Sequence, residues 1–560
     1  MPGGTQLSLL AADELVQGPR RNHGEIFTRR WVAELVLDLA GYVPDAPLGA
    51  QVIVEPSCGT GGFLVPIVER LIQAVGADGI VKCHDQIIAF DLLPANAERA
   101  RKEAHKLLLD AGVAVDVSTD LVESWVRVGD FLLDDLPVAG ADFVVGNPPY
   151  VRLEEVDVGT MQAYRAKCAT MRGRSDLYVG FFERGLSVLK PGGALAFICA
   201  DRWMHNQYGA DLRELISRGH AVETVLKMHD VDAFENAVSA YPAITVLRRT
   251  RQARVVVADT NGAFGPESVD ALKRWISQPR MSSRSTKSFV GAKLPNWSSG
   301  RDHWPAGTPG ALAVVADIER RFSTLEDAAT GTRVGIGIAT GADDIYITRD
   351  VNLVEADRLL PIVRAGDIAT GALRWSGEYL VNPWDDDGLV ELARHPLLAD
   401  HFSRHRRTIR NRHVARRRPD TWYRTIDRVA PALQHQRKLL LPDIKAASHP
   451  VLDDGEYYPH HNLYFITSTG WDLEVLGGLL LSDVANLFVG TYCVKMRGGC
   501  YRFQAQYLRK IRVPMPSAID AVSARELTSA FRSRDRARAT EIAAQLYGVP
   551  LRLLRRAGGA

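Results

Sequence analysis

The stretch Glu55-Pro56-Ser57-Cys58-Gly59-Thr60-Gly61-Gly62-Phe63 follows the apolar run Gln51–Val54 and precedes the helical pattern Leu64–Leu71. A strand, a glycine-rich turn and a helix in this order are typical of a doubly wound α/β fold. Glycines let backbone N–H groups approach a ligand closely, and the N-terminus of the following helix favours an anion. The glycines do not follow the dinucleotide pattern G-x-G-x-x-G, and the lysine of a P-loop is missing. The turn predicts a site for an anionic group, with a purely structural turn as the alternative.

Acidic residues lie at the ends of two further predicted strands. Asp91 ends the run Ile87–Asp91, and Asp130 follows Val126–Val128 with Phe131 beside it. Ligands of an open parallel sheet bind at the carboxyl ends of its strands, although a simple turn aspartate is the alternative for Asp130. The combination matches S-adenosyl-L-methionine, with its carboxylate over the glycine turn, its ribose at Asp91 and its adenine at Asp130. The predicted cofactor-binding residues of these motifs are Glu55, Pro56, Cys58, Gly59, Gly61, Asp91, Asp130 and Phe131.

The motif Asn147-Pro148-Pro149-Tyr150 follows the apolar run Phe143–Val145. The two prolines fix φ and remove N–H donors, so the corner is rigid and its carbonyl groups are free to accept. The Asn147 side-chain oxygen and the Pro148 carbonyl can each accept one N–H of an exocyclic amino group, while Tyr150 stacks on the ring that carries it. A Pro-Pro turn that only closes a strand is the alternative. We predict that Asn147, Pro148 and Tyr150 are catalytic and that Asn147 also faces the cofactor.

The order of these motifs resembles the gamma-class N6-adenine DNA methyltransferases of the TaqI type, which have a cofactor segment first and a recognition domain last. The leading segment here is Phe27–Val36, a turn followed by an amphipathic helix. The resemblance implies a Rossmann-like methyltransferase domain in which Phe27 and Thr28 hold the methionine end of the cofactor. The family usually has proline after this threonine, whereas this chain has Arg29. The sequence leaves the local backbone at Arg29 open.

Two later segments also resemble the family. Asp176–Tyr178 and the run Leu189–Ile198 correspond to a helix and a buried strand whose role is mostly structural. Phe234–Leu247 corresponds to a loop and strand whose aromatic residue stacks on the target base opposite the tyrosine. The resemblance implies that Phe234 is this stacking partner, and an ordinary core phenylalanine is the alternative.

The activity implied by the resemblance is methyl transfer from S-adenosyl-L-methionine to the N6 amino group of an adenine in duplex DNA. A base inside a duplex cannot present this nitrogen, so it must be flipped out at a cost of a few kcal/mol. Stacking on aromatic side chains is worth about 1–3 kcal/mol per base, which is similar to that cost. The transfer is a direct displacement, so we expect no metal and no nucleophilic role for Cys58.

The composition fits a cytoplasmic enzyme with more than one domain. The chain has 560 residues, of which 46% are hydrophobic, and a formal net charge of +2. Because the net charge is so small, only the distribution of charged residues along the chain is informative about binding partners. Six cysteines without a C-x-x-C pair argue against a disulfide framework and a zinc site. We expect no membrane partner, because no apolar run reaches the roughly 18 residues of a membrane span.

The sequence pattern changes near residue 250. Strands and helices alternate before it, and a polar stretch with scattered Ser and Pro follows. Later pieces such as Gly335–Gly341 and Tyr507–Pro514 resemble, more loosely, the specificity domains of TaqI-type methylases and type I specificity subunits. We predict a methyltransferase domain over residues 1–250, a connecting region over 251–325, an α+β target recognition domain over 326–520 and a helical tail over 521–560.

The segment His401–Arg418 carries eight arginines and no acidic residue, and Trp422 and Tyr423 follow it. Arginines contact phosphates and can read guanine through a bidentate fork, so the segment is typical of a DNA-binding surface. A solvated helical face is the alternative. The predicted DNA-binding residues are Arg404, Arg406, Arg407, Arg410 and Arg412.

The favoured function is a DNA adenine methyltransferase that acts as a monomer on double-stranded DNA, with a separate cognate restriction endonuclease as a candidate partner. Methyltransferases of RNA or of protein glutamine share the Asn-Pro-Pro-Tyr motif, but they are usually short and lack a large basic C-terminal half. A fused nuclease is disfavoured because Pro442-Asp443 lacks a downstream Glu-x-Lys partner. A DNA-binding module with a decayed catalytic fold is the remaining alternative, and the intact motifs weigh against it.

Overall fold

The computed structural model describes residues 26–136, 140–236, 241–297, 300–495 and 500–557. The chain divides into two compact units, Met1–Trp304 and Pro305–Ala560. Each unit has its own hydrophobic core of buried aliphatic and aromatic side chains.

The first unit is built on a ten-stranded sheet with the order β3-β2-β1-β4-β5-β7-β6-β8-β10-β9. The strands are β1 Ile53–Glu55, β2 Ile87–Asp91, β3 Val126–Val128, β4 Ala141–Gly146, β5 Leu189–Ala200, β6 Ala221–Lys227, β7 Pro242–Arg248, β8 Val255–Thr260, β9 Ser283–Ser285 and β10 Phe289–Leu294. β1 to β5 are parallel, and β7 is inserted antiparallel between β5 and β6. The chain runs outward from β1 to β3 and then returns to place β4 on the other side of β1. This reversal is the switch point at which doubly wound sheets bind ligands.

Nine described helices accompany this sheet. They are α1 Arg30–Ala40, α2 Leu64–Ile80, α3 Pro94–Asp110, α4 Val115–Trp125, α5 Val158–Lys167, α6 Tyr178–Ser187, α7 Arg202–His205, α8 Ala210–Gly219 and α9 Pro266–Ser277. α1 shows why such segments are helical, because its buried residues Val32, Leu35 and Val36 recur at the spacing of one helix face. It ends at Gly41, whose φ of 91° is the left-handed conformation that favours glycine. The doubly wound α/β fold predicted from the sequence is confirmed.

The boundary between the units lies later than the sequence pattern indicates. β8 pairs in parallel with β6, and β10 pairs antiparallel with β8, so both strands extend the large sheet. The buried Lys293 in β10 donates from Nζ to the carbonyl oxygens of Trp275 and Gln278, at 2.8 and 2.6 Å, at the C-terminus of α9. Residues 255–294 therefore contribute strands and a helix to the first unit, in the range where we predicted a connecting region.

The second unit contains several small sheets. Their orders are β12-β20-β16-β18, β13-β15-β14-β19, β17-β22-β21 and β11-β23. The strands are β11 Ser323–Thr324, β12 Arg333–Ile336, β13 Ile347–Thr348, β14 Leu359–Val363, β15 Tyr379–Val381, β16 Lys438–Pro442, β17 Ile444–Lys445, β18 Val451–Asp453, β19 Tyr458–Pro459, β20 Leu463–Thr467, β21 Val494–Lys495, β22 Tyr501–Arg502 and β23 Arg512–Val513. The Lys438 ammonium of β16 and the Asp453 carboxylate of β18 form a fully buried ion pair at 2.7 Å.

The helices of the second unit are α10 Pro309–Arg321, α11 Asp343–Tyr346, α12 Pro396–Arg404, α13 Arg406–Asn411, α14 His413–Arg417, α15 Leu473–Leu481, α16 Asp483–Tyr492, α17 Ala505–Leu508, α18 Ala521–Ser533, α19 Arg536–Tyr547 and α20 Leu551–Ala557. Short strands with interspersed helices agree with the predicted α+β class.

The C-terminal helices are part of the core of the second unit. α15 approaches α18 so closely that a Cβ atom on Gly477 would lie 2.6 Å from the Phe531 ring, and one on Gly478 would lie 2.6 Å from the Leu527 carbonyl oxygen. The segment that we predicted as a helical tail is helical and packs against α15. Among the described residues, no single helix is long and apolar enough to cross a membrane, although the bent pair α15 and α16 meets that criterion jointly by length and composition.

Candidate functional site

Four polar side chains predicted from the sequence lie at the same edge of the first sheet. Glu55 and Asp91 are the last residues of β1 and β2, and Asn147 follows β4 directly. Asp130 comes two residues after β3. Because these four strands are parallel neighbours, their carboxyl ends meet at one edge. The strand order thus brings together residues that are up to 92 positions apart in the chain.

A cavity of about 490 Å³ opens at this edge. Its lining includes the predicted residues Phe27, Thr28, Glu55, Pro56, Cys58, Gly59, Asp91, Asp130, Phe131, Asn147 and Pro148. Gly61, Tyr150 and Phe234 are not among the lining residues. The size and the mixed apolar and polar lining are typical of a site for a small cofactor.

The glycine turn contributes to the cavity through only some of its glycines. Gly59 has a φ of 54°, and its N–H donates to Oδ2 of Asp91 at 2.8 Å. Gly61 has a φ of 102°, and a Cβ atom on it would lie 3.5 Å from the Cα atom of Ala100 in α3. Gly61 therefore packs against the helix and is not among the residues that line the cavity, so its predicted role in cofactor binding stays a prediction. Gly62 lines the cavity instead.

Both acidic residues beyond the glycine turn are held by local hydrogen bonds. Oδ1 of Asp91 accepts from the Leu93 N–H at 2.8 Å. Oδ1 of Asp130 accepts from the Leu132 N–H at 2.9 Å, and its Oδ2 accepts from the Tyr164 hydroxyl at 2.7 Å. These contacts fix the orientation of both carboxylates at the edge of the cavity, where their oxygens can accept further hydrogen bonds.

Glu55 is the most buried acid of the site. Its side chain lies in the cavity wall with only 1% of the residue exposed, and Oε2 has no hydrogen-bond partner among the described residues. Burial raises the pKa of the Glu55 carboxyl well above its ordinary value, and the nearby Asp91 carboxylate raises it further. Buried acceptors in proteins nearly always have a hydrogen-bond partner. A donor group of a bound cofactor would supply the missing partner of Oε2.

Replacing Glu55 by glutamine should stabilise the ligand-free protein relative to wild type by an amount that grows as the pH rises through neutrality. The raised pKa means that the folded state holds a proton that the unfolded state releases above about pH 4.3. Wild-type stability should therefore fall as the pH rises from that value towards the folded-state pKa, and E55Q lacks this loss.

The measurement is the melting temperature of both proteins from about pH 5 to about pH 8, where the advantage of E55Q should grow with pH. Glu98→Gln, an exposed glutamate on α3, serves as the control and should show no such trend. A difference between E55Q and wild type that is constant over this range would contradict the raised pKa.

The orientation of the Asn147 amide is fixed by two contacts. Its Nδ2 donates to the carbonyl oxygen of Ile26 at 2.9 Å and to Oγ1 of Thr28 at 3.1 Å. A carbonyl oxygen can only accept, so the NH2 group must lie on this side. Oδ1 then points away from these partners, is buried and has no hydrogen-bond partner among the described residues. Asn147 therefore presents a free acceptor in the wall of the cavity.

The departure from the family pattern at Arg29 has a structural explanation. The segment around Thr28 lies antiparallel to the segment around Phe234, with a bridge between these two residues. The backbone N–H of Arg29 donates to the Ala233 carbonyl at 3.0 Å. Proline at this position could not make that bond. The arginine side chain also pairs with Asp232 at 2.6 Å, which ties the leading segment to the Phe234 loop.

The Tyr150 and Phe234 rings are in contact but do not form an open slot, and the stacking role that the resemblance implies for Phe234 stays a prediction. Their ring centroids lie 6.3 Å apart with an interplanar angle of 83°. A base that stacks face to face on both rings would need them parallel, whereas in this arrangement a base that stacks on one ring meets the other by its edge. Phe234 is also nearly buried, at 5% exposure, and the neighbouring residues 237–240 lie outside the described part of the chain.

Sequence reasoning missed several side chains of the cavity. Phe181 of α6 stacks on Phe131 with centroids 5.5 Å apart, and both rings line the cavity. Leu92 follows Asp91 at the strand end, lines the cavity and is 55% exposed. Tyr164 of α5 reaches Asp130 from a helix without any motif. Of these side chains, only Leu92 could have been found from the sequence, because it directly follows an acid at a predicted strand end.

The arginine segment forms three short helices, α12 to α14, in the second unit. Arg404, Arg406, Arg407 and Arg410 are exposed. Arg404 pairs with Asp400, whereas no acidic partner is found for the other three within the described ranges. Arg406 and Arg410 lie over the Trp422 ring, with Cζ 5.5 and 5.7 Å from its centroid. Cation–π contacts hold a guanidinium in place while leaving its charge available.

Arg412 does not belong to the exposed set. Its guanidinium turns inward, where Nη1 donates to the Thr340 carbonyl at 2.7 Å and Nη2 donates to the Arg424 carbonyl at 2.6 Å. It also lies over the Tyr346 ring, with Cζ 5.0 Å from the centroid. These bonds use most of its donors, so the structure assigns Arg412 a structural role in place of the predicted DNA contact.

Two arginines outside the arginine segment lie over the ring of a second tryptophan. Arg424 and Arg428 lie over the Trp384 ring, with Cζ 5.3 and 6.0 Å from its centroid. Ile426, between them in sequence, is 48% exposed. The loop that follows α14 thus presents two further guanidinium groups, and only the tertiary contact with Trp384 reveals them.

Asp343, His460 and His461 form a group of the described residues that could hold a metal ion. Oδ2 of Asp343 is 2.9 Å from Nε2 of His460, and Nη2 of Arg364 is 3.5 Å from the same oxygen. The guanidinium already balances the carboxylate charge, which opposes a cation at this position. Our expectation that the reaction uses no metal remains a prediction.

Comparison with known proteins identifies the family. The model of the Eco57I restriction-modification methylase family matches residues 123–234. The type II methyltransferase M.PaeR7I of Pseudomonas aeruginosa is 40% identical over 551 residues, which are 97% of this chain and 95% of that protein. M.XhoI of Xanthomonas vasicola is 41% identical over 537 residues, or 94% and 97% of the two chains. A solved structure of the type IIG restriction endonuclease BpuSI covers 97% of this chain and 67% of its own, at 15% identity and a TM-score of 0.39.

The matches to M.PaeR7I and M.XhoI cover 97% and 94% of the chain, so they extend over both units. The family match at residues 123–234 covers the Asn-Pro-Pro-Tyr motif and Phe234. The resemblance inferred from the sequence is thus confirmed at the level of the family. The chain belongs to the type II DNA methyltransferases of restriction-modification systems, and its cofactor is S-adenosyl-L-methionine.

Proposed function

We propose that this enzyme methylates the N6 amino group of an adenine that is flipped out of duplex DNA. The observation that carries the proposal is the free acceptor Oδ1 of Asn147, which is buried in the cavity wall and oriented by Ile26 and Thr28. An exocyclic amino group donates two N–H bonds, and an oriented acceptor aligns its nitrogen for attack. Asn147, Pro148 and Tyr150 are the proposed catalytic residues.

The chemistry of Cys58 supports an amino nitrogen rather than a ring carbon as the acceptor of the methyl group. Methylation of a cytosine ring carbon needs a covalent thiolate adduct, whereas an amino nitrogen has its own lone pair. Burial raises the pKa of the Cys58 thiol well above its ordinary value, and Glu55 and Asp91 raise it further. A thiol that stays protonated at neutral pH is a poor nucleophile.

The residues of the cavity suit a positively charged cofactor with a carboxylate, a ribose and an adenine. When bound, the cofactor supplies a methyl group made electrophilic by a sulfonium. We propose that Gly59 and Thr28 face its methionine end, that Asp91 accepts from the ribose and that Asp130 accepts from the adenine amino group. The unpartnered Oε2 of Glu55 would accept from a donor of the same ligand. Asn147 would orient the target nitrogen, and the product loses its extra proton to a nearby acceptor such as water.

We further propose that the second unit recognises the DNA sequence and contacts the phosphates. Arg406, Arg407 and Arg410 are exposed and free of acidic partners in the described part of the chain, and Arg424 and Arg428 add to them. One cavity accommodates one flipped base, and one protein chain contains such a cavity. A monomer is therefore the proposed active form. The matching restriction activity is proposed to reside in a separate endonuclease, because Asp443 is 3.5 Å from the Arg502 guanidinium, where a nuclease would need a metal ion.

Expression in a host without DNA methylation should yield N6-methyladenine in its DNA. Mass spectrometry of the digested DNA identifies the modified nucleoside, and sequencing that detects modified bases gives its sequence context. An empty vector is the control. N4-methylcytosine or 5-methylcytosine in place of N6-methyladenine would overturn the proposed target, and a lack of any sequence context would overturn the proposed recognition.

A further inference from the structure

The segment that follows the Asn-Pro-Pro-Tyr motif is tied to the start of α6. The Leu177 N–H donates to the Val151 carbonyl at 2.8 Å, and the Leu153 N–H donates to the Ser175 carbonyl at 3.0 Å. These bonds place Asp176 and Tyr178 next to Tyr150. The Tyr150 and Tyr178 rings are in edge-to-face contact, with centroids 6.3 Å apart and an interplanar angle of 68°.

Tyr178 belongs to a hydroxyl–carboxylate network that includes Asp176 and Tyr208. Oδ2 of Asp176 accepts from the Tyr178 hydroxyl at 2.6 Å, and the Tyr208 hydroxyl lies 3.0 Å from the same oxygen. The two hydroxyl oxygens are 2.7 Å apart. No basic side chain pairs with Asp176 among the described residues, so this carboxylate acts as the acceptor of the network.

Tyr150 cannot fix its own ring plane. Its hydroxyl is buried and has no hydrogen-bond partner among the described residues. The orientation of its ring therefore depends on its neighbours, which are Phe234 on one side and Tyr178 on another. Phe234 has no polar atom that could anchor it, whereas Tyr178 is almost fully buried and bonded to Asp176. Tyr178 is thus the one of these two neighbours that hydrogen bonds hold in place.

We propose that Asp176, Tyr178 and Tyr208 are positioning residues that set the ring plane of Tyr150 for stacking on the flipped base. This inference rests on the proposed function and deepens it, because it assigns the control of base stacking to residues outside the motif. Hydrogen bonds to a carboxylate are stronger than those between neutral groups. The network therefore opposes rotation of Tyr178, which would otherwise allow the Tyr150 ring to turn.

Tyr178→Phe keeps the ring and removes the hydroxyl. We expect it to slow single-turnover methylation of a matched duplex by about tenfold, the loss typical of one bond to a charged group. On a duplex whose target adenine is mispaired, the loss should be less than about threefold, because a mispaired base costs less to flip. The Kd of S-adenosyl-L-methionine should not change, since none of the three residues lines the cavity.

Asp176→Ala should behave like Tyr178→Phe, and Asp176→Asn should restore most of the rate because its amide oxygen still accepts. Tyr208→Phe gives a second test at a half-buried position should Tyr178→Phe fail to fold. Tyr42→Phe is the matched control, since within the described ranges the only partner of this buried hydroxyl is the Ile67 carbonyl at 3.5 Å. It should methylate both duplexes at the wild-type rate.

Wild-type rates for Asp176→Ala and Tyr208→Phe on the matched duplex would overturn the inference, and so would equal losses on matched and mispaired duplexes. Neither outcome would contradict the proposed function, because that function is tested by the modified nucleoside that the wild-type enzyme forms. Conversely, if the wild-type enzyme forms no N6-methyladenine, the proposed function is wrong, and this is known before the variants are compared.

Discussion

Asn147→Ala should lower the rate of methyl transfer by about a hundred- to a thousandfold, the usual loss when an oriented active-site dipole is removed. The variant loses the free Oδ1 acceptor in the cavity wall, and with it the alignment of the target nitrogen. Cofactor binding should change little, because Glu55, Gly59, Asp91 and Asp130 keep their places. Single-turnover assays with labelled S-adenosyl-L-methionine measure the rate, and calorimetry measures the Kd of the cofactor.

Asn352→Ala is the matched control for this experiment, since Asn352 is exposed in the second unit. It should methylate DNA at the wild-type rate. An Asn147→Ala enzyme that keeps its full rate would remove Asn147 from the reaction. A variant that loses cofactor affinity in proportion to its rate would show instead that Asn147 acts mainly by shaping the cofactor pocket.

Replacing Arg406, Arg407 and Arg410 together by glutamine should weaken DNA binding by about a hundredfold at 0.1 M salt. Each phosphate contact contributes about 0.9 to the slope of log K against log salt, so three lost contacts reduce the slope by about 2.7. Methylation of saturating DNA should continue, because the catalytic cavity lies in the other unit. Fluorescence anisotropy with a labelled duplex at several salt concentrations measures both quantities.

The control for the arginine variant removes the same charge at another place. Arg394, Arg437 and Arg538 pair with Glu391, Asp454 and Glu526, so their replacement alters net charge without removing unpaired guanidinium groups. The slope should stay close to the wild-type value for this control. An equal reduction of the slope in both triple variants would show that only total charge matters, and an unchanged slope in the first would exclude these arginines from the interface.

The edge of the sheet at which the site lies could be predicted from the sequence. Glu55, Asp91 and Asn147 follow short buried apolar runs, and parallel strands bring such positions to a common edge whatever the loops between them do. The same argument supports the cofactor class, because a glycine turn with strand-end acids fits few ligands. The fold class was predictable for a related reason, since the alternation of strands and helices is a local property of the chain.

Other features needed contacts between distant segments. The sequence pattern ended the first unit near residue 250, whereas β8 and β10 join its sheet through pairing that composition does not reveal. β8 contains the short apolar run 255–258, but it lies within a polar stretch with scattered Ser and Pro, which is typical of a connecting region. Arg412 shows the same limit, because its spacing within the arginine segment is no different from that of its exposed neighbours.

The sequence by itself determined which chemical groups stand at the strand ends, and therefore the reaction class. Only the tertiary structure decided how those groups point. The Asn147 amide is oriented by the Ile26 carbonyl, 121 residues earlier, and the Tyr150 ring by Tyr178 in α6. The physical reason is that backbone patterns follow from local periodicity, whereas the direction of a side chain follows from hydrogen bonds and packing with whatever the fold places beside it.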